Sequence, residues 1–203
     1  MPYAREHKEQ TRSRIVDAAA KLFNQRGFDA VTIGDIMTQA GLTHGGFYRH
    51  FKSKDELYAE AVRHFLDQEA RPRWQKGRDG RRTGPPFARM VLEAYLSRDH
   101  LEDVGGSCPL IALSSDAARA SHAVKTAYRE VAEAMVHVFK TELKGRAARE
   151  QAMVLVALCV GGMVLARALD DDDLGSGFLD VSRRHALRAA GWHARTPASF
   201  QRR

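Results

Sequence analysis

The side chains with chemistry to offer crowd into one short stretch. Thr32, Thr43, His44, Tyr48, Arg49, His50 and Lys54 all fall within it, with Gly45 and Gly46 among them. They are hydrogen-bond donors and cations. They contain no nucleophile beside a base, no metal spacing and no phosphate loop, so hydrolytic, redox-metal and nucleotide chemistry find no foothold here. Such a set binds rather than transforms. It suits a surface rich in acceptors and negative charge.

The stretch must be folded to present those groups, and its pattern says how. Thr32 caps a first helix with Asp35 three residues on, as in a capping box. Ile33, Ile36, Met37 and Ala40 follow at helical spacing. Gly41 stops the helix where a left-handed residue is needed. Leu42 plugs the turn and Thr43 caps a second helix, Thr43 to His50, with Phe47 and Phe51 on one face. Two helices this short need a third wall. Residues 4–26 supply it, a helix whose Ile15, Ala19, Leu22 and Phe23 share a face and which ends at Gly27. The geometry is that of a helix-turn-helix whose second helix enters a DNA major groove.

The rest of the chain is read as helical, with no strand alternation and no internal repeat. Ser53 and Glu56 start a helix running to about Glu69. Residues 71–86 break the pattern with glycine, proline and six Lys/Arg, a loop whose charge reads as solvated surface. Further helices are expected from Phe87 to about Leu101, after Pro109, from Ser121 to about Leu143, over residues 146–169, and from Gly177 to about Ala190. Asp170 to Asp173 are expected in a loop, because acid is unfavourable at a helix C-terminus. Trp192 to Arg203 reads as a frayed tail.

Composition is compatible with this. The 203 residues carry a net charge of +7, but residues 1–54 hold nine Lys/Arg against five Asp/Glu, so pattern rather than bulk charge argues for DNA. Two cysteines make neither a disulfide framework nor a zinc site. The first ten residues lack an apolar export core, and the run Ala152 to Ala166 is short for a bilayer span. A cytoplasmic protein without a membrane partner and without a cofactor is expected.

From Thr11 to Lys54 the sequence resembles the DNA-binding domain of tetracycline-repressor-like (TetR-type) regulators. The resemblance rests on Ile15-Val16-Asp17-Ala18-Ala19 with Leu22-Phe23 and Gly27-Phe28. It continues through Val31 to Ile36, Ala40-Gly41-Leu42, and Phe47-Tyr48-Arg49-His50-Phe51-Lys52-Ser53-Lys54. It implies an all-α chain: a three-helix DNA-binding domain over residues 1–54, a larger helical ligand-binding and dimerisation domain over 55–190, and a basic tail over 191–203. It implies a homodimer on a pseudo-palindromic operator, released by a small-molecule effector. It also implies that Tyr48, His50 and Lys54 touch phosphates.

Physical reading assigns His44 and Arg49 to base edges, Arg being suited to guanine. Thr32 either meets a phosphate or only caps its helix. Tyr48 and His50 could instead pack on the first helix, and Lys54 could be a solvated charge. Gly45-Gly46 either lets the backbone approach DNA closely or is merely tolerated in a short helix. The effector cavity is expected to be largely apolar, its candidates Phe65, Trp74, Phe87, Met90, Tyr95, Tyr128, Met135 and His137. The dimer surface is expected on the last two long helices, where Ala157, Gly161 and Gly162 allow close crossing. Cys108, before Pro109 at a helix start, is a candidate redox thiol or a small buried residue. An enzyme acting on a small apolar molecule is the remaining alternative.

Overall fold

The computed structural model describes residues 2–71 and 86–192, and every regular element among them is helical. Helix α1 (Pro2–Ala30) carries the first core face, with Ile15, Ala19 and Phe23 fully buried. Gly27 interrupts it at φ 76, a left-handed turn that lets Phe28 fold back. There Phe28 stacks on Tyr58, whose ring also meets Phe23, at centroid distances of 4.7 and 4.9 Å.

Helix α2 (Ile33–Gln39) and the short α3 (His44–Arg49) form the angular pair. Helix α4 (Lys54–His64) leaves them, capped by Ser53 Oγ, which accepts from Glu56 N–H at 3.1 Å. The Glu56 carboxylate closes the box one residue early, accepting from Lys52 N–H. α4 then widens into a π turn over Phe65–Ala70. It packs on α1 at one side and on the long α9 (His122–Lys140) at the other, so it joins the two halves.

Between them run α5 (Phe87–Tyr95), α6 (Arg98–Glu102), α7 (Pro109–Ala112) and α8 (Ser114–Arg119). The expected single helix from Phe87 to Leu101 is thus two. Ser97 turns extended and its hydroxyl accepts from His100 N–H, which restarts the helix on a new axis. Pro109 stands at N1 of α7 as expected.

The molecule ends in α10 (Ala148–Ala168) and α11 (Asp172–Ala189), packed side by side. α10 is 21 residues long and apolar enough to cross a bilayer by length and composition, longer than the uncharged run suggested. Here Leu155, Cys159 and Met163 are buried in the core. The acidic run is split: Asp170 and Asp171 lie in the connection as expected, and Asp172 and Asp173 do not. Asp171 caps α11 by accepting from Leu174 N–H at 2.8 Å, and Asp172 and Asp173 occupy its first turn. Acid that would be unfavourable after α10 is favourable before α11. Trp192, expected in a frayed tail, is buried against Phe139.

Candidate nucleic-acid interface and effector cavity

The angular pair is built by local chemistry. Thr32 Oγ1 accepts from Asp35 N–H, and Asp35 Oδ2 accepts from both the Thr32 N–H and its hydroxyl, a complete capping box. Those bonds hold the Asp35 carboxyl below its usual range. Gly41 takes φ 66, and Arg14 donates to the Ala40 carbonyl to close the end of α2. Leu42 N–H returns to the Met37 carbonyl, which sets the turn. Ile36, Met37, Phe47 and Phe51 are buried beneath.

The second helix differs from its expectation. α3 is a tight 3-10 turn from His44, not an α-helix from Thr43, and the Thr43 side chain caps nothing. Each residue therefore turns further round the axis than in an α-helix. His44, Gly45 and Tyr48 lie exposed, and Tyr48 is 64% accessible despite its edge-on contact with Phe47. It does not pack on α1. Arg49 is also exposed.

The two glycines separate. A Cβ on Gly46 would meet Met37 Cε at 3.4 Å, whereas one on Gly45 would meet nothing within 4 Å. Neither has a left-handed φ. Nothing inside the protein requires glycine at position 45.

His50 and Lys54 are less open. His50 Nδ1 is buried without a hydrogen-bond partner. Burial, then the cations Lys8, Arg12 and Arg49, hold its imidazole below the usual value. Lys54 Nζ donates to the Phe28 carbonyl and sits 4.1 Å from the Phe28 ring centre. Arg12 is similarly engaged, over the Phe51 ring and paired with Glu60. These cations stitch α1 to the helix-turn-helix, a use that charge counting does not reveal.

A second site lies in the other half. A cavity of about 540 Å³ opens between the end of α4, α5, α6 and α9. Of the candidate effector residues, Phe65, Phe87, Met90, Tyr95 and Met135 line it. Tyr128 does not; its hydroxyl donates to the Leu110 carbonyl inside the core. His137 is exposed on the outer face of α9, one position out of register with the buried Met135 and Val138. Trp74 lies outside the described residues. Sequence reasoning missed the polar wall: Ser97, Asp99, His100 and Asp103, all on or beside α6. The Ser97 cap was its one sequence signal.

Cys108 also lines this cavity but is 3% accessible, and burial pushes its thiol up to about 11. Desolvation outweighs any gain from the four-residue α7, so of the two readings Cys108 fits the small buried residue. Cys159 is buried and shifted the same way.

The cavity wall is tied to α1 and the turn after it. Asn24 of α1 donates to the carbonyls of Gly105 and Ser107, at 3.1 and 2.8 Å. Phe28 N–H donates to Asp116. Arg167 of α10 grips the same loop through Ser107 Oγ and the His100 and Leu101 carbonyls.

The sequence model described as "Bacterial regulatory proteins, tetR family" matches residues 15–61, from the buried Ile15 through the exit helix. Over those residues the chain is similar to that family. There the chain is similar to the HTH-type transcriptional repressor KstR2 of Rhodococcus jostii, 43% identical over 60 residues, and to the HTH-type transcriptional regulator AcrR of Shigella flexneri, 39% over 56. These matches span 30% and 28% of this chain, and only 29% and 26% of those relatives. Beyond the matched residues, likeness is structural. A TetR transcriptional regulator from Chloroflexus aurantiacus superposes with a TM-score of 0.73 at 26% identity, covering 90% of this chain and 95% of that one. Reduced NemR of E. coli gives 0.72 at 19% identity over 91% and 99%, a likeness of fold.

Proposed function

We propose that the protein is a sequence-specific DNA-binding regulator, a homodimeric repressor that leaves a pseudo-palindromic operator when a small, largely apolar molecule fills the α5–α6 cavity. The observation that carries the reading is α3: an exposed His44, Gly45, Tyr48 and Arg49 held over a buried Phe47 and Phe51. Such a surface has no internal use. In the complex His44 and Arg49 reach base edges, while Tyr48, the Thr32 helix start and Thr43 meet phosphates. His50 and Lys54 join them only by giving up present surroundings, for Lys54 the Phe28 carbonyl.

One α3 reads a few base pairs, so two copies are needed. α10 and α11 offer the surface. Met153, Val154 and Leu165 on α10 and Leu174 and Val181 on α11 are large, apolar and exposed, and Ala157 and Gly161 lie along the same stripe. Gly162, expected at the crossing between copies, instead abuts Ser182 of α11 within the chain. Coupling runs through the loop of residues 103–107, which walls the cavity and accepts hydrogen bonds from Asn24. A ligand that displaces the loop moves α1, and must bind the non-DNA state more tightly to release the operator.

A footprint across the DNA flanking the protein's own coding region tests this. A protected inverted repeat, lost in Tyr48→Ala, supports the regulator. No sequence-specific protection contradicts it.

A further inference from the structure

We propose that Asp116, on α8 and outside the helix-turn-helix, is a positioning residue for Lys54. Through the Phe28 backbone it holds that ammonium away from DNA, an autoinhibitory latch. The proposal rests on the reading that Lys54 meets a phosphate in the operator complex, and adds what holds it back in the free chain.

Both backbone polar groups of Phe28 are taken by side chains from elsewhere in the chain. Its N–H donates to Asp116 Oδ2 at 2.8 Å, across 88 residues of sequence. Its carbonyl accepts from Lys54 Nζ, and the same ammonium lies 4.1 Å from the centre of its ring. The ring is fixed in turn by stacking on Tyr58 and by contact with Phe23. Carboxylate, Phe28 backbone and ammonium thus form one chain of contacts from α8 to the start of α4.

The backbone is shaped to admit the carboxylate. Gly27 takes φ 76, and a Cβ there would stand 3.1 Å from Asp116 Oδ2. Glycine therefore both permits the turn that brings Phe28 back and leaves room for Asp116. Arg119 donates to the other Asp116 oxygen at 3.1 Å and keeps the carboxylate oriented. The Asp116 side chain is 18% accessible. Its bond to the Phe28 N–H is charge-assisted, and its field reaches the nearby ammonium with less screening than a fully solvated charge would have.

Lys54 has exchanged water for a carbonyl and a ring face, and must give them up to reach a phosphate. Whatever fixes Phe28 makes that exchange costlier. α7 and α8 follow the cavity-lining Asp103, Gly106 and Cys108 directly in the chain, so the carboxylate end of the latch lies on the effector side.

Anisotropy titration of the full chain on a duplex carrying the footprinted inverted repeat is the test. Asp116→Asn keeps an acceptor for the Phe28 N–H and removes the charge. It should bind about threefold tighter or better than the wild type. A purely structural contact would give equal or weaker binding, which overturns the proposal. The gain should vanish in a Lys54→Ala background. A gain that persists there is general charge and also overturns it. Lys54→Ala alone should lower the slope of log K against log salt by about 0.9 for each subunit. An unchanged slope means that Lys54 meets no phosphate, and the latch has nothing to withhold. In the free wild-type chain, an N-hydroxysuccinimide acetate should modify Lys54 several-fold more slowly than the exposed Lys52. Equal rates overturn the capture without any variant, so the proposal stays open to refutation if Asp116→Asn melts early. A wild-type chain that protects no repeat defeats the regulator reading and the latch with it, whereas specific binding without a Lys54-dependent gain defeats the latch alone.

Discussion

Gly45 is the residue whose meaning the structure changes most. In sequence, Gly45-Gly46 admits two accounts, tolerance or close approach. In three dimensions Gly46 faces Met37, while Gly45 faces open space with an ordinary backbone. A glycine with no internal reason costs helix stability of about 1 kcal/mol against alanine. Gly45→Ala should therefore raise or preserve the melting temperature and yet weaken operator binding about tenfold or more, as read by anisotropy titration. Unchanged affinity would return Gly45 to mere tolerance.

His50 carries a pH signature. Its folded value lies below the ordinary 6.5. The native state then binds fewer protons than the unfolded one, so the His50 contribution to stability is full above about 6.5 and is lost as pH falls below it. The drop in melting temperature from pH 7 to pH 5 should be smaller in His50→Gln. A drop of the same size would remove His50 from the acid response.

At the scale of elements, what was legible followed local rules. The Thr32–Asp35 box, the Gly41 stop, Pro109 at N1 and the buried pair Phe47 and Phe51 are each decided by residues close in sequence. What was not legible depended on neighbours far along the chain. The acidic run was read against the helix before it, and it caps the helix after it. The polar wall of the cavity comes from α6, five residues long, which periodicity cannot separate from α5. No local pattern announces that Lys54 and Arg12 cover the Phe28 and Phe51 rings, which meet them only on folding. For Cys108 the two sequence readings, reactive thiol or small buried residue, are separated by burial, which raises the thiol. Oxidant-induced loss of DNA binding, if any, should be equal in the wild type and Cys108→Ser. A response abolished in the variant would restore the redox sensor.

For the whole molecule, the account joins three surfaces through two connections. They are the exposed α3, the exposed stripe on α10 and α11, and the cavity. Asn24 of α1, hydrogen-bonded to the loop of residues 103–107, links cavity to α1, and Arg167 links the same loop to α10. If the proposed homodimer packs through this stripe, Leu165→Glu with Val181→Glu should give monomers in sedimentation and weaken operator binding, with each chain still folded. A dimer that survives both charges would place the interface elsewhere. The family match in residues 15–61 bears on the first surface alone. The other two stand on exposure, packing and the hydrogen bonds between them.

The central claim is that α3 reads DNA sequence, twice per dimer. Selection from a random-sequence duplex library with the purified chain tests it most directly. The account predicts enrichment of an inverted repeat of two short half-sites. In Arg49→Ala one position in each half should relax, a loss of about 1–3 kcal/mol of discrimination there, while the other positions hold. Recovery of no sequence motif by the wild-type protein would contradict it.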